Sequence, residues 1–138
     1  MVRISPHLNF NGQCRAAFAR YQALLGGDIQ IMLTYGDSPM AATFDARLHD
    51  LILHATLVIG DLEIMGTDQP PERYQAPQGM CVAVTLPTAQ KARDVFEGLA
   101  QGGRITLAFQ STFWTRGFGM VVDAYGIPWE INCGEAPA

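Results

Sequence analysis

Hydrophobic and polar positions along the chain follow the same order of patterns twice. In the first half, residues 8–10 alternate as a short strand and residues 13–25 carry an apolar stripe at helical spacing. In the second half, residues 82–86 alternate as a strand, and Pro87 and Thr88 then begin a helix. The predicted apolar faces are Cys14, Phe18, Tyr21 and Leu25 in the first helix, and Ala92, Val95, Phe96 and Leu99 in the second.

A glycine pair ends each predicted helix, and three strand-like runs follow each pair. The pairs are Gly26–Gly27 and Gly102–Gly103. The runs are 28–35, 52–59 and 62–67, then 104–109, 118–122 and 127–133. Each half therefore reads strand, helix, three strands. This pattern predicts an α+β domain of two modules, at about 1–68 and 79–138, joined by a proline-containing linker at 69–78.

Composition excludes several classes of protein. The chain has 138 residues, 49% of them hydrophobic and 16% charged, which is typical of one folded domain rather than a disordered chain. Nine basic residues against thirteen acidic ones, without a basic run, argue against a nucleic-acid partner. The apolar stretch 51–60 is too short to cross a bilayer, and no signal peptide is evident. We therefore expect a cytoplasmic protein without a membrane partner.

Three cysteines, Cys14, Cys81 and Cys133, match neither a zinc site nor a disulfide framework by their spacing. We expect all three to be reduced and buried. Cys14 lies in the first turn of the first helix, where the helix dipole can activate a thiol. Its place on the apolar stripe with Phe18 favours burial instead.

Several motifs in a fixed order carry a resemblance to a known family. They are the runs 10–21 (FNGQCRAAFARY), 35–40 (YGDSPM), 112–114 (TFW), 118–120 (FGM) and 123–129 (DAYGIPW), together with Gly26–Gly27, His54, Gly60, Met65 and Asp68. In this order they resemble the PhnB-like branch of the vicinal oxygen chelate superfamily, which includes glyoxalase I, extradiol dioxygenases and bleomycin-resistance proteins.

The resemblance implies a fold more firmly than a function. It implies two tandem βαβββ modules that form curved mixed sheets around a cavity, a scaffold that hosts isomerases, dioxygenases, thiol transferases and metal-free drug binders. The branch also carries a label as a 3-demethylubiquinone 3-methyltransferase. The chain has no methyltransferase glycine loop, so we reject that label.

The resemblance also implies where a metal would bind. Metal-using members take one ligand from the first strand and one from the last strand of each module. Glu130, four residues after Gly126, matches the last-strand position, whereas the residue four after Gly60 is Ile64. First-strand candidates are His7 and Cys81. A lone carboxylate is a poor site for a catalytic divalent ion, so a metal-free cavity is favoured and a divalent metal held by Glu130 and His7 is the alternative.

His54 and Thr56 share one face of their predicted strand and are candidates for the cavity lining. A histidine beside a hydroxyl can act as a general base near neutral pH. The structural alternative is a histidine that only satisfies a hydrogen bond. Relatives in the branch often have Glu at the position of Thr56, which argues against proton transfer here.

Aromatic and soft apolar residues concentrate in the second module and suit an apolar ligand pocket. They are Phe109, Phe113, Trp114, Phe118, Met120 and Trp129. We assign Phe113, Trp114 and Trp129 to the pocket, with ordinary core or a dimer interface as the alternative for each.

Two functions follow from these residues and the resemblance. The first is binding of a small, partly apolar molecule, with metal-assisted lyase, isomerase or dioxygenase-like chemistry in which Glu130 and His54 are catalytic. The alternative is a non-catalytic, metal-free protein that sequesters a small molecule. In either case we expect a homodimer.

Overall fold

The computed structural model describes residues 1–137, which form two compact units: Met1–Ala76, and a second that begins at Pro77. The elements of unit 1 are β1 (His7–Phe10), α1 (Cys14–Leu25), β2 (Asp28–Thr34), β3 (Ile52–Ile59) and β4 (Leu62–Asp68). Those of unit 2 are β5 (Val82–Leu86), α2 (Ala89–Ala100), β6 (Arg104–Gln110), β7 (Phe118–Val122) and β8 (Pro128–Cys133). The connection between β2 and β3 contains the short 3-10 turns Ala41–Thr43 and Ala46–Leu48.

Each unit contains one four-stranded mixed sheet, and the two sheets have equivalent strand orders. The orders are β1-β4-β3-β2 and β5-β8-β7-β6. In each sheet the first strand lies parallel to the last, and the remaining pairs are antiparallel. The strand-helix-strand-strand-strand order confirms the α+β fold of two βαβββ modules predicted above.

One helix covers one face of each sheet. The buried residues of α2 are Ala92, Val95, Phe96 and Leu99, as the sequence predicts. The buried residues of α1 are Cys14, Ala17, Phe18 and Tyr21. Ala17 is buried although the sequence did not predict it, and the predicted Leu25, in the last turn, is only partly buried. Gly66 of β4 meets Phe18, and Gly119 of β7 meets Phe96. Side chains that alternate with these glycines therefore point away from the helix, onto what we call the helix-free face.

The second glycine of each pair lies so close to a strand of the sheet that there is no space for a side chain. A Cβ added to Gly27 would lie 2.3 Å from the carbonyl oxygen of Val58, and one added to Gly103 would lie 2.3 Å from that of Val122. No side chain fits at these distances. The glycine pairs therefore end the helices and also let the chain enter the sheet edge closely.

A carboxylate from a distant part of the chain satisfies a backbone donor at the start of each helix. Asp68, 1% exposed, accepts hydrogen bonds from the backbone N–H groups of Cys14 and Ile52, each at 2.9 Å. In unit 2, Glu135 accepts from the backbone N–H of Ala89 at 2.7 Å, and the Thr88 side chain caps Lys91. These contacts tie the first helical turn of each unit to residues distant in sequence.

None of the helices within residues 1–137 has both the length and the apolar character needed to span a membrane.

Candidate ligand-binding faces

Unit 1 presents two histidines on its helix-free face. His7 of β1 pairs with Met65 of β4, and Met65 in turn pairs with Thr56 of β3, so one row crosses three strands. His54 lies two residues before Thr56, on the same side. The His7 and His54 rings stack with centroids 6.3 Å apart and planes 26° apart. The structure therefore brings together His7, His54 and Thr56.

The two histidines affect one another electrostatically. Partial burial lowers the pKa of His7, and the nearby His54 lowers that pKa further because two imidazolium charges would repel. Thr56 is 5% exposed, and its hydroxyl lies 3.1 Å from His54 Nε2. This hydrogen bond orients the His54 ring, and the tautomer determines which partner donates. The contact between His54 and Thr56 is compatible with proton transfer by His54, and equally with a hydrogen bond that only satisfies the two side chains.

Unit 2 presents an aromatic platform beside polar groups on its helix-free face. Phe118 and Met120 of β7 pair with Asn132 and Glu130 of β8, respectively. The Trp114 ring packs edge-on against Phe118, with centroids 5.2 Å apart, and its Nε1 donates a hydrogen bond to Asn132 Oδ1 at 3.3 Å. We call Phe113, Trp114 and Phe118 the aromatic platform. Phe113 contacts Trp114 and is 90% exposed, and Trp114 is 47% exposed.

Glu130 lies beside a thiol. The Sγ atom of Cys81 is 3.7 Å from Glu130 Oε2, within reach of a weak S–H hydrogen bond. Burial raises the pKa of the Cys81 thiol, and the negative charge of Glu130 raises it further. Within residues 1–137, the salt bridges formed by Arg3, Arg47 and Arg116 go to other carboxylates and none goes to Glu130.

The structure corrects three expectations. Trp129 does not line a pocket: it is fully buried, and its Nε1 donates to Asp123 Oδ2 at 2.9 Å. Cys81 is exposed rather than buried, although all three cysteines are free as predicted. The counterpart of Glu130 in unit 1 is Met65 rather than Ile64, because Met65 pairs with His7 as Glu130 pairs with Ala83.

The sequence did not indicate that two further residues lie on the helix-free faces. Asn132 fixes the Trp114 ring, and Met65 lies between His7 and Thr56. The alternation of β8 contained the signal for Asn132, since residues 128, 130 and 132 must share one face. The hydrogen bond to Trp114 joins residues 18 apart in sequence, and no local pattern indicates it.

The donor atoms of each unit fall short of a complete metal site. No group of three or more His, Cys, Asp or Glu side chains is placed to hold a metal ion in the described part of the chain. Unit 1 offers the pair His7 and His54, and unit 2 offers Cys81 and Glu130. Catalytic zinc sites use three protein ligands. Either pair taken alone therefore does not fit a resident metal without further ligands.

Comparisons with known proteins identify relatives in sequence and further solved structures with the same fold. No family model matches the chain. Protein YjdN of Escherichia coli K12 is 33% identical over 137 residues, covering 94% of this chain and 93% of that protein. The crystal structure of protein PA1353 from Pseudomonas aeruginosa is 37% identical, with a TM-score of 0.89, and covers 96% of this chain and 98% of that one.

More distant structures share the fold alone. A PhnB protein from Bacillus cereus is 24% identical with a TM-score of 0.80, covering 96% of this chain and 100% of that one. A mutant of the fosfomycin resistance protein FosX of Listeria monocytogenes, in a complex with Mn(II) and 1S,2S-dihydroxypropylphosphonic acid, is 14% identical with a TM-score of 0.63. That match covers 98% of this chain and 94% of FosX. The YjdN match, which covers nearly the whole of both chains, shows that this chain belongs to the YjdN family, and its two βαβββ units have the fold that the PhnB and FosX structures share.

Proposed function

We propose that this chain is a PhnB-like protein that binds a small, partly apolar molecule on the helix-free face of unit 2. The observation that supports this best is the aromatic platform, in which the half-exposed Trp114 ring is held by both Phe118 and Asn132. A large ring fixed at two points and left open to solvent is a typical ligand contact, because little side-chain entropy remains to be lost on binding.

Polar groups beside the platform provide the anchors that a binding site needs. Trp114 occupies the amide oxygen of Asn132, which leaves the amide N–H groups to donate to a ligand. Glu130 adds a carboxylate that accepts hydrogen bonds. An apolar surface with a few convergent polar groups is the usual composition of a small-molecule site.

Metal-assisted chemistry on a molecule with adjacent oxygens is the second candidate. The proximity of His7 to His54 favours it, as does the likeness in fold to FosX with Mn(II). Glu130 and His7 would be metal ligands, and His54 a ligand or a general base. Each unit alone supplies too few donors, so we derive no reaction step through a metal. Metal analysis of protein purified without a nickel affinity tag tests this candidate: a stoichiometric divalent ion would favour it, and its absence after supplementing with Mn²⁺ would reject it.

Tryptophan fluorescence tests the proposed site, since the chain has two tryptophans and only Trp114 is exposed. We would screen small aromatic alcohols, amides and amines for protection of Trp114 from quenching by acrylamide. Calorimetry should then show that the compounds that protect the ring bind at least about tenfold more weakly to Trp114→Ala, because the ring supplies most of the apolar contact.

The control is Leu62→Ala, which removes an exposed apolar side chain from the start of β4 in unit 1. It should bind the same compounds as the parent. Compounds that bind the parent and Trp114→Ala equally would move the site away from the aromatic platform.

A further inference from the structure

We propose that the molecule bound on the helix-free face of unit 2 is an organic cation: a protonated amine attached to an apolar or aromatic body, with Glu130 as its counter-ion. This inference rests on the proposed function, because it names the chemical class of ligand for the same face. Three observations carry it: an unpaired carboxylate, neighbouring strands without cationic side chains, and an aromatic platform next to the carboxylate.

Glu130 is a partly buried carboxylate without a cationic partner among residues 1–137. Four of the other carboxylates have such partners: Glu63 pairs with Arg3, Glu135 pairs with Arg116, and Asp45 and Glu72 pair with Arg47. Glu130 instead has a neutral thiol at 3.7 Å and the thioether strand neighbour Met120. A carboxylate partly removed from water and left unpaired gains more from an incoming cation than a solvated one does.

The strands next to Glu130 carry no positively charged side chain. The strands β5, β7 and β8 contain no Lys, Arg or His, and neither does the segment 111–115 that carries Phe113 and Trp114. Arg104 lies on the same face, but it is on the edge strand β6, opposite Val122 and two strands away from Glu130. Arg116, next along the chain, pairs with Glu135 and donates from Nε to the Ala136 carbonyl. A phosphate, phosphonate or carboxylate ligand beside Glu130 would meet that negative charge with no positive side chain on the adjoining strands to offset it.

The aromatic platform lies where the body of such a cation would extend. Asn132, which holds the Trp114 ring, is two residues along β8 from Glu130, and this places the two positions roughly 7 Å apart. An ammonium group at Glu130 can therefore carry a two- or three-carbon arm whose apolar end rests on Trp114 and Phe118. Electron-rich rings near the cation add attraction of their own.

Three compounds with the same phenyl body and different charge test the inference: 2-phenylethylamine, 2-phenylethanol and 3-phenylpropionate. At pH 7 the first is a cation, the second neutral and the third an anion. Calorimetry should show that the amine binds at least about tenfold more tightly than the alcohol, because a hydrogen bond between two charged groups is stronger than a neutral one. The propionate should bind most weakly.

Glu130→Gln should bring the amine and the alcohol to within about twofold of each other while leaving the affinity for the alcohol unchanged. The matched control is Glu97→Gln, which removes the same charge from an exposed position on α2. It should preserve the preference of the parent. Raising the salt concentration should weaken amine binding to the parent and leave alcohol binding unchanged, so the test does not depend on the variant folding.

Each outcome separates this inference from the proposed function. If all three compounds protect Trp114 and bind alike, the platform binds ligands but the ligand is not a cation, so the inference fails alone. If the amine preference survives in Glu130→Gln, another group is the counter-ion and the inference also fails. If none of the three protects Trp114 at millimolar concentration, both the inference and the proposed face are wrong.

Discussion

At the scale of single residues, the contact between Cys81 and Glu130 affects how fast the Cys81 thiol reacts, and this rate can be measured. The thiolate is the form of cysteine that reacts with alkylating agents. The pKa of the Cys81 thiol is raised by burial and by the Glu130 charge, and this slows its reaction. Cys14 and Cys133 are buried and do not compete for a reagent.

We expect Glu130→Gln to accelerate alkylation of Cys81 by iodoacetamide several-fold at pH 8, because the thiol then ionises at a lower pH. Mass spectrometry of the modified peptide over time measures the rate. Glu97→Gln serves as the control for loss of one charge and should react like the parent. Equal rates in all three proteins would contradict the contact between Cys81 and Glu130.

The lowered pKa of His7 predicts that the stability of the protein depends on pH. In the unfolded chain its pKa has the ordinary value of about 6.5, and in the folded chain burial and the neighbouring His54 lower it. Between the two pKa values the unfolded chain therefore binds more protons than the folded one. The stability that His7 contributes is fully present above about pH 6.5 and is lost as the pH falls below that value.

Urea unfolding at pH 8 and pH 5 tests this expectation with the parent and His7→Gln. The free energy of unfolding should fall more in the parent than in the variant over this range. In His54→Asn, NMR titration should find the pKa of His7 higher than in the parent, because the charge repulsion is gone. An unchanged His7 pKa would show that the two rings do not interact.

At the scale of elements, the two glycines after α1 look equivalent in the sequence but have different structural roles. Gly26 and Gly27 have φ values of 80° and 86°, which an L-residue adopts only with strain. A Cβ on Gly26 meets nothing within 4 Å, whereas one on Gly27 would lie 2.3 Å from the Val58 carbonyl oxygen. The first position needs only the backbone angle, and the second also needs the space.

We therefore expect Gly26→Ala to cost about 1–3 kcal/mol of unfolding free energy, because the backbone angles of Gly26, φ 80° and ψ −161°, are essentially restricted to glycine. Gly27→Ala should cost at least about 2 kcal/mol more, because the strand and the helix end must move apart. Denaturant unfolding of the two variants measures both values, and each variant is the control for the other. Equal losses would mean that the close approach to β3 is not required.

Elements with a strong local period were predicted closely. The bounds of β3, β5 and β7 match the predicted runs, and the four buried residues of α2 are those of the predicted stripe. The last turn of α1 differs, because Leu25 adjoins the chain's exit at Gly26 and is only partly buried. Periodicity identifies which face of a helix is apolar, whereas the sheet beneath it determines how far along the helix that face is covered.

The face assignments of β4 and β8 could not be obtained by counting from the glycine turns. Ile64 and Glu130 both follow a glycine by four residues, yet Ile64 pairs with Leu57 and Glu130 pairs with Met120. Directly opposed residues of antiparallel strands share a face. Leu57 is fully buried and Met120 lies on the helix-free side, so equal offsets lead to opposite faces.

At the scale of the whole molecule, the expected homodimer remains a prediction. Several apolar side chains of unit 2 are exposed, namely Met80, Ile105, Leu107, Phe113 and Trp114. Exposed apolar surface is a feature of proteins that associate. Light scattering over a dilution series should give a mass about twice the 15.0 kDa of one chain. A mass near 15.0 kDa at all micromolar concentrations would contradict the prediction.

The sequence by itself determined the order of elements, the buried faces of the helices and the class of fold. These depend on periodicity, on glycine pairs and on turn residues, all of which act between neighbours in the chain. Only the tertiary structure decided which side chains meet: His7 with His54, Cys81 with Glu130, Trp114 with Asn132, and Trp129 with Asp123. Strand register and loop paths bring these groups together, and a shift of one residue would turn each strand residue to the opposite face.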